Sequence, residues 1–271
     1  MEFKLAAFAD EASPALTGQI KALKDNGIPM LEIRNFDGKN IAEITKKEAK
    51  EVRKRLEDEG LSVWSIGSPY GKINVTDDFK DQLEKFKRSI DICFELNTKH
   101  IRLFSFYESQ DRFDEVADRL DMFIEAAKGS DVVLCHENEK GIYGDIASRC
   151  LKIHETFPQI RAIFDPANFV QSGQDTKEAW EMLSPYVEYM HIKDALPDGS
   201  VVPAGKGVGQ LKYLLSQYKG HVLTIEPHLA VFDGLNALEG KEKSKVGIYE
   251  YPDSETAFKA AADALKEIIY K

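Results

Sequence analysis

Short apolar runs alternate with longer amphipathic stretches along the chain. The apolar runs have the length of strands, and apolar residues at helical spacing follow them, such as Leu16, Ile20 and Leu23 after the first run. This alternation predicts eight β/α units, with strands at 4–8, 30–34, 61–67, 100–106, 131–138, 161–165, 187–194 and 222–226. Because eight uninterrupted repeats close a barrel, the pattern predicts an α/β fold, a single (β/α)₈ TIM barrel spanning residues 1–271.

An open, doubly wound sheet is the alternative arrangement of the same elements. Its dinucleotide-binding form carries GxGxxG after the first strand, and no such motif follows residue 8. No linker rich in Pro, Gly or Ser divides the chain, which favours one domain. The connection 227–254 after the eighth strand is unusually long, and we expect it to be a lid over the site or a contact in a homo-oligomer.

Two helix starts carry local capping patterns. Ser13 followed by Pro14 predicts an N-cap with proline at the first helical position. Thr45 and Glu48 have the spacing of a capping box for the second helix. These patterns predict where two of the strand-to-helix loops end.

Polar side chains end the last four predicted strands. Glu137, Asp165, His191 and Glu226 each lie at or just beyond the end of an apolar run. In a parallel barrel these ends meet at one rim, where TIM barrels hold their active sites. Carboxylates with one imidazole suit a divalent ion such as Mn²⁺, Mg²⁺, Co²⁺ or Zn²⁺ and leave positions for substrate oxygens. We therefore expect one divalent metal ion, although each residue alone is more typical of a helix cap or a loop hydrogen bond.

Composition narrows the possible partners. The 46 acidic and 36 basic residues give a net charge of −10, which opposes binding to nucleic acid and favours a small-molecule substrate. The apolar run at the N-terminus is too short for a signal peptide and no later run has the length of a membrane span, so we expect a cytoplasmic protein without a membrane partner. The cysteines Cys93, Cys135 and Cys150 form no CxxC pair, which indicates reduced core residues.

Motifs in a fixed order carry a resemblance to a known family. The segments are FADEAS, IGSPYGK, HIRLFSFY, HENEKGIYGD, FDPANFV, YVEYMHIKDA, VPAGKGVGQ and EPH. With them the chain resembles the xylose isomerase-like TIM barrels, a superfamily of sugar phosphate isomerases and epimerases. That superfamily includes ketose 3-epimerases, inosose dehydratases and the endonuclease IV branch. The resemblance spans essentially the whole chain.

The resemblance implies roles for the residues at the strand ends. It implies that Glu137, Asp165, His191 and Glu226 are the metal ligands, and that Glu137 and Glu226 are the acid/base pair of an isomerase or epimerase. The reaction would pass through a metal-stabilised enediolate of a sugar, polyol or sugar phosphate. The chain departs from the epimerases at Asn168, a substrate-binding position where they carry histidine, and this argues against a ketohexose substrate.

Further residues are candidates for substrate contacts. Lys193 lies on the same side of its strand as the predicted histidine ligand, so it binds either a substrate oxygen or a nearby carboxylate. Arg102 lies within an apolar run and must be paired, either with a metal-ligand carboxylate or with substrate. His228 follows the eighth strand, and Glu11 and Tyr70 fall in loops on the same rim.

The segment AGKGVG, residues 204–209, has two interpretations. Successive backbone amides in a glycine-rich loop can bind a phosphate group. Glycine in such a segment can equally serve to permit a turn. Whether the substrate is phosphorylated therefore stays open at this stage.

Three other functions compete with isomerisation or epimerisation. An inosose-type dehydratase would begin with the same proton removal and then lose water. A non-catalytic sugar-binding barrel could retain the metal ligands. An endonuclease IV-like phosphodiesterase is disfavoured, because that branch needs three metals and extra histidines at strands two to four, where this chain has EIRNFDG, GSPYGK and FSFYES.

Overall fold

A computed structural model describes residues 3–230 and 248–270 of the chain. Within them, parallel strands form a closed eight-stranded barrel in sequence order, and the last strand pairs with the first. The strands are β1 Lys4–Ala7, β2 Met30–Ile33, β3 Ser62–Ile66, β4 His100–Leu103, β5 Val133–Glu137, β6 Arg161–Phe164, β7 Val187–Ile192 and β8 Val222–Ile225. The predicted TIM barrel is confirmed, and closure between β8 and β1 excludes the open sheet.

Helices cover the outside of the barrel. They are α1 Leu16–Asp25, α2 Lys46–Glu57, α3 Lys80–Leu96, α4 Phe113–Ala127, α5 Ala147–Thr156, α6 Pro166–Gln171, α7 Thr176–Leu183, α8 Leu211–Gln217 and α9 Ser254–Tyr270. Most of the predicted insertion 227–254 lies outside the described residues, so its role as a lid or a subunit contact stays a prediction. In the described part of the chain, no helix is both long enough and apolar enough to cross a membrane.

The two predicted helix starts have different outcomes. Thr45 and Glu48 form the capping box in full, because each side chain accepts the backbone N–H of the other. The Ser13 prediction is wrong by two residues: α1 begins at Leu16 with Ala15 at the N-cap position. The orphan N–H of Leu16 instead donates to Asp37 Oδ1 at 2.9 Å, a partner 21 residues away that local sequence cannot indicate.

The barrel interior changes from apolar to charged along its axis. Two residues before Glu137, Asp165 and His191, the side chains of Cys135, Ile163 and Tyr189 pack in a buried apolar cluster. The Tyr189 hydroxyl donates to Glu32 Oε1 at 2.8 Å, and Glu32 in turn meets His191, two residues along β7. Because inward side chains recur at every second residue, the same strands supply the apolar floor and the charged mouth.

Two buried histidines, His136 on β5 and His154 on α5, lie outside the barrel wall with ring centroids 5.8 Å apart. Burial lowers the pKa of His154 to about 4, although its contact with the Ile160 carbonyl raises it. Burial likewise lowers the pKa of His136. Both rings are therefore neutral in the folded chain at pH 7. In acid the unfolded chain binds protons at these histidines more readily than the folded chain does, and this proton uptake favours unfolding.

Replacing His154 by glutamine is expected to reduce the acid sensitivity of the fold. Between pH 6.5 and about 4 the unfolded chain binds a proton at His154 that the folded chain does not, so wild-type stability falls as pH falls. From pH 7 to 5 we expect the wild type to lose about 2 kcal/mol more than His154→Gln in urea unfolding. His221→Gln, at an exposed site, is the control, and an equal loss in all three proteins would contradict the prediction.

Candidate metal centre

Four buried side chains converge at the carboxyl ends of neighbouring strands. Glu137 ends β5, Asp165 follows β6, His191 lies in β7 and Glu226 follows β8. One ligand atom from each lies within 4.8 Å of the others, and the residues are at most 3% exposed. The sequence singled out these four residues, and the barrel brings them together. Their donor set, three carboxylates and one imidazole, fits a divalent metal ion.

His191 lies between two carboxylates. Its Nδ1 is 3.0 Å from Glu137 Oε1, and its Nε2 is 3.2 Å from Glu32 Oε2. Burial lowers the pKa of His191, but the charges of Glu137 and Glu32 outweigh it and raise the pKa to about 10. In the metal-free chain the ring is therefore an imidazolium. Sequence analysis missed Glu32, and the available signal was a carboxylate inside the apolar run MLEI.

Lys193 places an ammonium group beside two of the four donors. Its Nζ lies 3.1 Å from Asp165 Oδ2 and 3.1 Å from Glu226 Oε2. Burial and the neighbouring carboxylates raise the pKa of Asp165 to about 7, with Lys193 opposing them. Burial also disfavours ionised Glu226, but Lys193 and further cations hold the pKa of Glu226 well below its usual range. The lysine therefore compensates the charge of the cluster.

Two buried arginines hold the two glutamates. Arg102 Nη1 donates to Glu137 Oε2 at 2.9 Å, and Arg34 Nη1 donates to Glu226 Oε1 at 3.3 Å. The guanidinium groups of Arg34 and Arg102 lie 4.4 Å and 4.9 Å from the centroid of the Phe8 ring. Each glutamate thus has one oxygen on the side of His191 or Lys193 and one bound to an arginine. A single aromatic ring supports both arginines.

Arg34 also binds the acidic turn after β1. Its Nε lies 2.9 Å from Asp10 Oδ2 and its Nη2 lies 3.1 Å from Glu11 Oε1. Glu11 Oε2 accepts the backbone N–H of His228 at 2.6 Å, which ties this turn to the loop after β8. Burial raises the pKa of Glu11 to about 8 despite Arg34. Glu11, Glu226 and His228 also converge within 4.8 Å, but the Arg34 cation already binds both carboxylates.

The structure places four of the six predicted substrate-binding residues around one cavity. Asn168, Lys193, His228 and Arg102 line one cavity together with the cluster glutamates, and Glu11 lies behind His228. Asn168 Nδ2 donates to Asn138 O at 2.9 Å and to Glu137 Oε1 at 3.3 Å. This amide therefore helps to orient the glutamate that it adjoins.

The structure places Tyr70 away from the cavity that the other candidate substrate contacts line. The ring is buried outside the cavity, against Phe86 and Phe123 on the helices α3 and α4. Its hydroxyl lies 2.6 Å from Ser89 Oγ on α3, which satisfies the phenol without water or ligand. The position of Tyr70 in a rim loop did not reveal the direction of its side chain. Burial of an aromatic ring between helices is more favourable in free energy than exposure at the rim.

The cavity is lined by several charged residues that sequence analysis did not single out. They are Arg34, Lys72, Glu139 and Lys140. The cavity measures about 20 Å³, room for about one water molecule. Charged side chains from the loops after β3 and β5 thus fill the space above the four donors.

Asp194 organises the glycine-rich loop after β7. Its carboxylate accepts the backbone N–H groups of Ala195, Gly205, Gly207 and Gly209 at 2.9–3.0 Å. A Cβ on Gly207 would lie 2.4 Å from Asp194 Oδ1, so glycine is required for this close approach. Because a protein carboxylate occupies these amides, the structure favours the turn interpretation of 204–209 over phosphate binding.

Replacing Asp194 by alanine is expected to lower the free energy of unfolding by about 3 kcal/mol, because four amides lose a charged acceptor. Asp198→Ala, in the same loop, removes an acceptor of the Ser200 N–H at 3.0 Å and should cost about 1 kcal/mol. Urea unfolding of both variants measures the difference. Equal losses would show that the four amides find other acceptors.

The sequence matches the model of a known protein family over most of its length. Residues 20–268 match the model of the xylose isomerase-like TIM barrel, which is most of the 271 residues. The protein therefore belongs to the xylose isomerase-like TIM barrel family, as its motifs predicted. Among curated proteins, none matches this chain.

Solved structures share the fold over nearly the full length. The IolI protein with a zinc atom is 15% identical, with a TM-score of 0.76 and 98% of each chain covered. The probable 3-DHS dehydratase AsbF from Bacillus anthracis is 17% identical, with a TM-score of 0.73 and coverage of 98% of this chain and 99% of that one. L-ribulose 3-epimerase is 18% identical, with a TM-score of 0.73 and coverage of 100% and 95%. At these identities the likeness concerns the fold.

Proposed function

We propose that this protein is a divalent-metal-dependent isomerase or epimerase of a sugar, polyol or sugar phosphate. The observation that carries the proposal is the convergence of Glu137, Asp165, His191 and Glu226 within 4.8 Å at the mouth of the barrel. Membership of the family supports it, and so do structural neighbours described as epimerases. The neighbour that holds zinc is consistent with a metal-dependent site.

The four donors are the residues that would hold the ion. Each offers one ligand atom from a different strand or strand end, and the mixture of oxygen and nitrogen suits Mn²⁺, Mg²⁺, Co²⁺ or Zn²⁺. When bound, the ion supplies the positive charge that compensates the charge developing on substrate oxygens as a proton leaves the neighbouring carbon. Glu32 would hold the His191 ring from its far side through Nε2.

Glu137 and Glu226 are the proposed proton-transfer pair. They come from β5 and from the end of β8, and both approach the same nitrogen of His191, whose Nδ1 lies 3.0 Å from Glu137 Oε1 and 3.6 Å from Glu226 Oε2. One would remove a proton from a substrate carbon and the other would return a proton from the opposite side. Arg102 and Arg34 fix both carboxylates, so little reorientation is needed during transfer.

Lys193 and Asn168 are the proposed groups that orient substrate oxygens. Both line the cavity beside the glutamates, and both carry N–H donors that match carbonyl or hydroxyl acceptors. The surrounding burial keeps bulk water from the reacting carbon, which strengthens each of these contacts.

Proton exchange in deuterated water tests the proposal. The chain is treated with chelator, reloaded with one ion at a time and incubated with a panel of ketoses, ketose phosphates and inososes, and the mixtures are followed by NMR. We expect metal-dependent deuterium incorporation at the carbon beside the carbonyl together with an isomer or epimer. Loss of water, with the proton leaving that carbon and the hydroxyl leaving its neighbour, would indicate a dehydratase. Sugar binding without exchange across the panel would favour a non-catalytic barrel.

A further inference from the structure

The side chain of Asn138 pairs with the backbone of the neighbouring strand end. The residue register of β5 and β6 ends at Glu137 and Ile163, one residue before Asn138 and two before Asp165. Beyond that point Asn138 Oδ1 accepts the Asp165 N–H at 2.9 Å, and Asn138 Nδ2 donates to the Asp165 carbonyl at 2.9 Å. Because a carboxamide offers an acceptor and a donor as a peptide group does, this side chain continues the pairing of the two strands by one step.

Asn168 closes these contacts into a cycle. Its backbone N–H donates to Asp165 Oδ1 at 2.9 Å, and its Nδ2 donates to the Asn138 carbonyl at 2.9 Å. The Asn138–Asp165–Asn168 cycle thus bonds each of its residues to both others. All three residues are at most 2% exposed, so water is not available to replace a lost partner.

The cycle acts on two of the four proposed metal ligands. It holds the Asp165 backbone through both its N–H and its carbonyl, and it engages Oδ1 of the side chain. Oδ2, which shares the Lys193 ammonium with Glu226, is then the oxygen left for an ion. Asn168 Nδ2 also donates to Glu137 Oε1 at 3.3 Å. Asn168 therefore bonds a carboxylate oxygen of both ligands.

We propose that Asn138 and Asn168 are positioning residues, which hold Glu137 and Asp165 at the separation that a divalent ion requires. The inference rests on the proposed function, because it concerns the same donors, and it gives Asn168 a role in addition to a substrate contact. Neither amide carries a charge, so the effect of both on the ion comes through the placement of the two carboxylates. Residues that hold metal ligands in this way commonly change metal affinity by about 10- to 100-fold.

Metal affinity measures this role without any turnover. The full chain is freed of metal with chelator and titrated calorimetrically with Mn²⁺ and, separately, with Zn²⁺, and the ion that binds the wild type more tightly is used for the variants. Leucine has the branching of asparagine without its hydrogen-bonding atoms. We expect Asn138→Leu to weaken binding of the ion about tenfold or more, and Asn168→Leu to weaken it at least about threefold. Because either change opens the same cycle, the double variant should lose clearly less than the product of the two single losses.

Asn26→Leu is the matched control. Asn26 is a buried asparagine at the end of α1, and its Nδ2 donates to the Ala22 carbonyl at 2.9 Å. This bond stabilises a helix end outside the site, so its loss should lower the free energy of unfolding in urea. The dissociation constant of the ion should stay within about twofold of the wild type, because no metal ligand depends on Asn26.

Three results would overturn the positioning role. They are binding within about twofold of the wild type in both Asn138→Leu and Asn168→Leu, an equal loss of affinity in Asn26→Leu, and multiplication of the two single losses in the double variant. The proposal also falls if the wild type binds neither ion. Should Asn138→Leu fail to fold, Asn168→Leu decides alone, because it retains both bonds between Asn138 and Asp165. Failure of the proposed reaction would appear separately, as a wild type that binds the ion but gives no exchange in deuterated water.

Discussion

Glu137→Gln is expected to lower kcat about a thousand-fold at saturating metal. The substitution keeps the shape of the side chain but removes the carboxylate that would accept the substrate proton, and general acid–base groups commonly contribute a factor of about 100–10,000. It also leaves Arg102, 2.9 Å from Glu137 Oε2, without its anion. Initial rates on the substrate found by NMR, with metal content measured on the same samples, separate loss of proton transfer from loss of the ion.

Glu226→Gln is the matched variant, and Glu188→Gln, at the start of β7, is the control. If the two glutamates act on opposite sides of one carbon, each variant retains exchange from the epimer whose proton the remaining glutamate reaches. Deuterium incorporation should therefore be lost from one epimer in Glu137→Gln and from the other in Glu226→Gln. Retention of more than a tenth of wild-type kcat by Glu137→Gln would remove that residue from the proposed pair.

Arg34→Met is expected to lower the free energy of unfolding by about 3–5 kcal/mol. Arg34 is buried and binds Asp10, Glu11 and Glu226, so its removal leaves the buried Asp10 carboxylate without its cation and takes one cation away from Glu226. Methionine preserves much of the volume and the contact with Phe8, which limits the cavity term. Urea unfolding of the metal-free chain measures the loss.

Two further variants make the reason for that loss testable. Arg53→Met removes an exposed arginine paired with Glu57 on α2 and should cost less than about 0.5 kcal/mol. Adding Asp10→Asn to Arg34→Met should restore part of the stability, because the carboxylate that Arg34 binds through two nitrogens is removed. A loss below about 1 kcal/mol in Arg34→Met would mean that the carboxylates are compensated in another way.

The hydrophobic periodicity of the chain and the polar residues at its strand ends predicted most of the elements that position the site. Parallel strands bring their carboxyl ends to one rim, so the gathering of Glu137, Asp165, His191 and Glu226 follows from the order of elements. The capping box at Thr45 needed only local spacing. The capping box depends on contacts within a few residues. The gathering of the four donors depends on the barrel topology, which follows from the order of the strands and helices.

The remaining features depend on side-chain directions and long-range pairs. Lys72 and Glu139 are 67 residues apart, and no local pattern indicates that their loops meet. The sequence placed Tyr70 correctly in a rim loop, but the direction of its side chain is set by the space between α3 and α4. Glu32 resembles a surface residue of an edge strand until β7 is known to lie across the barrel from it.

The ammonium of Lys193 and the imidazolium of His191 give the cluster its own counter-ions. A chain that depended on an incoming ion to offset its buried carboxylates would fold only where that ion is plentiful. Under the proposed function, binding of the ion is then an exchange between these protein cations and the metal, and we expect the metal-free chain to be folded before the ion binds.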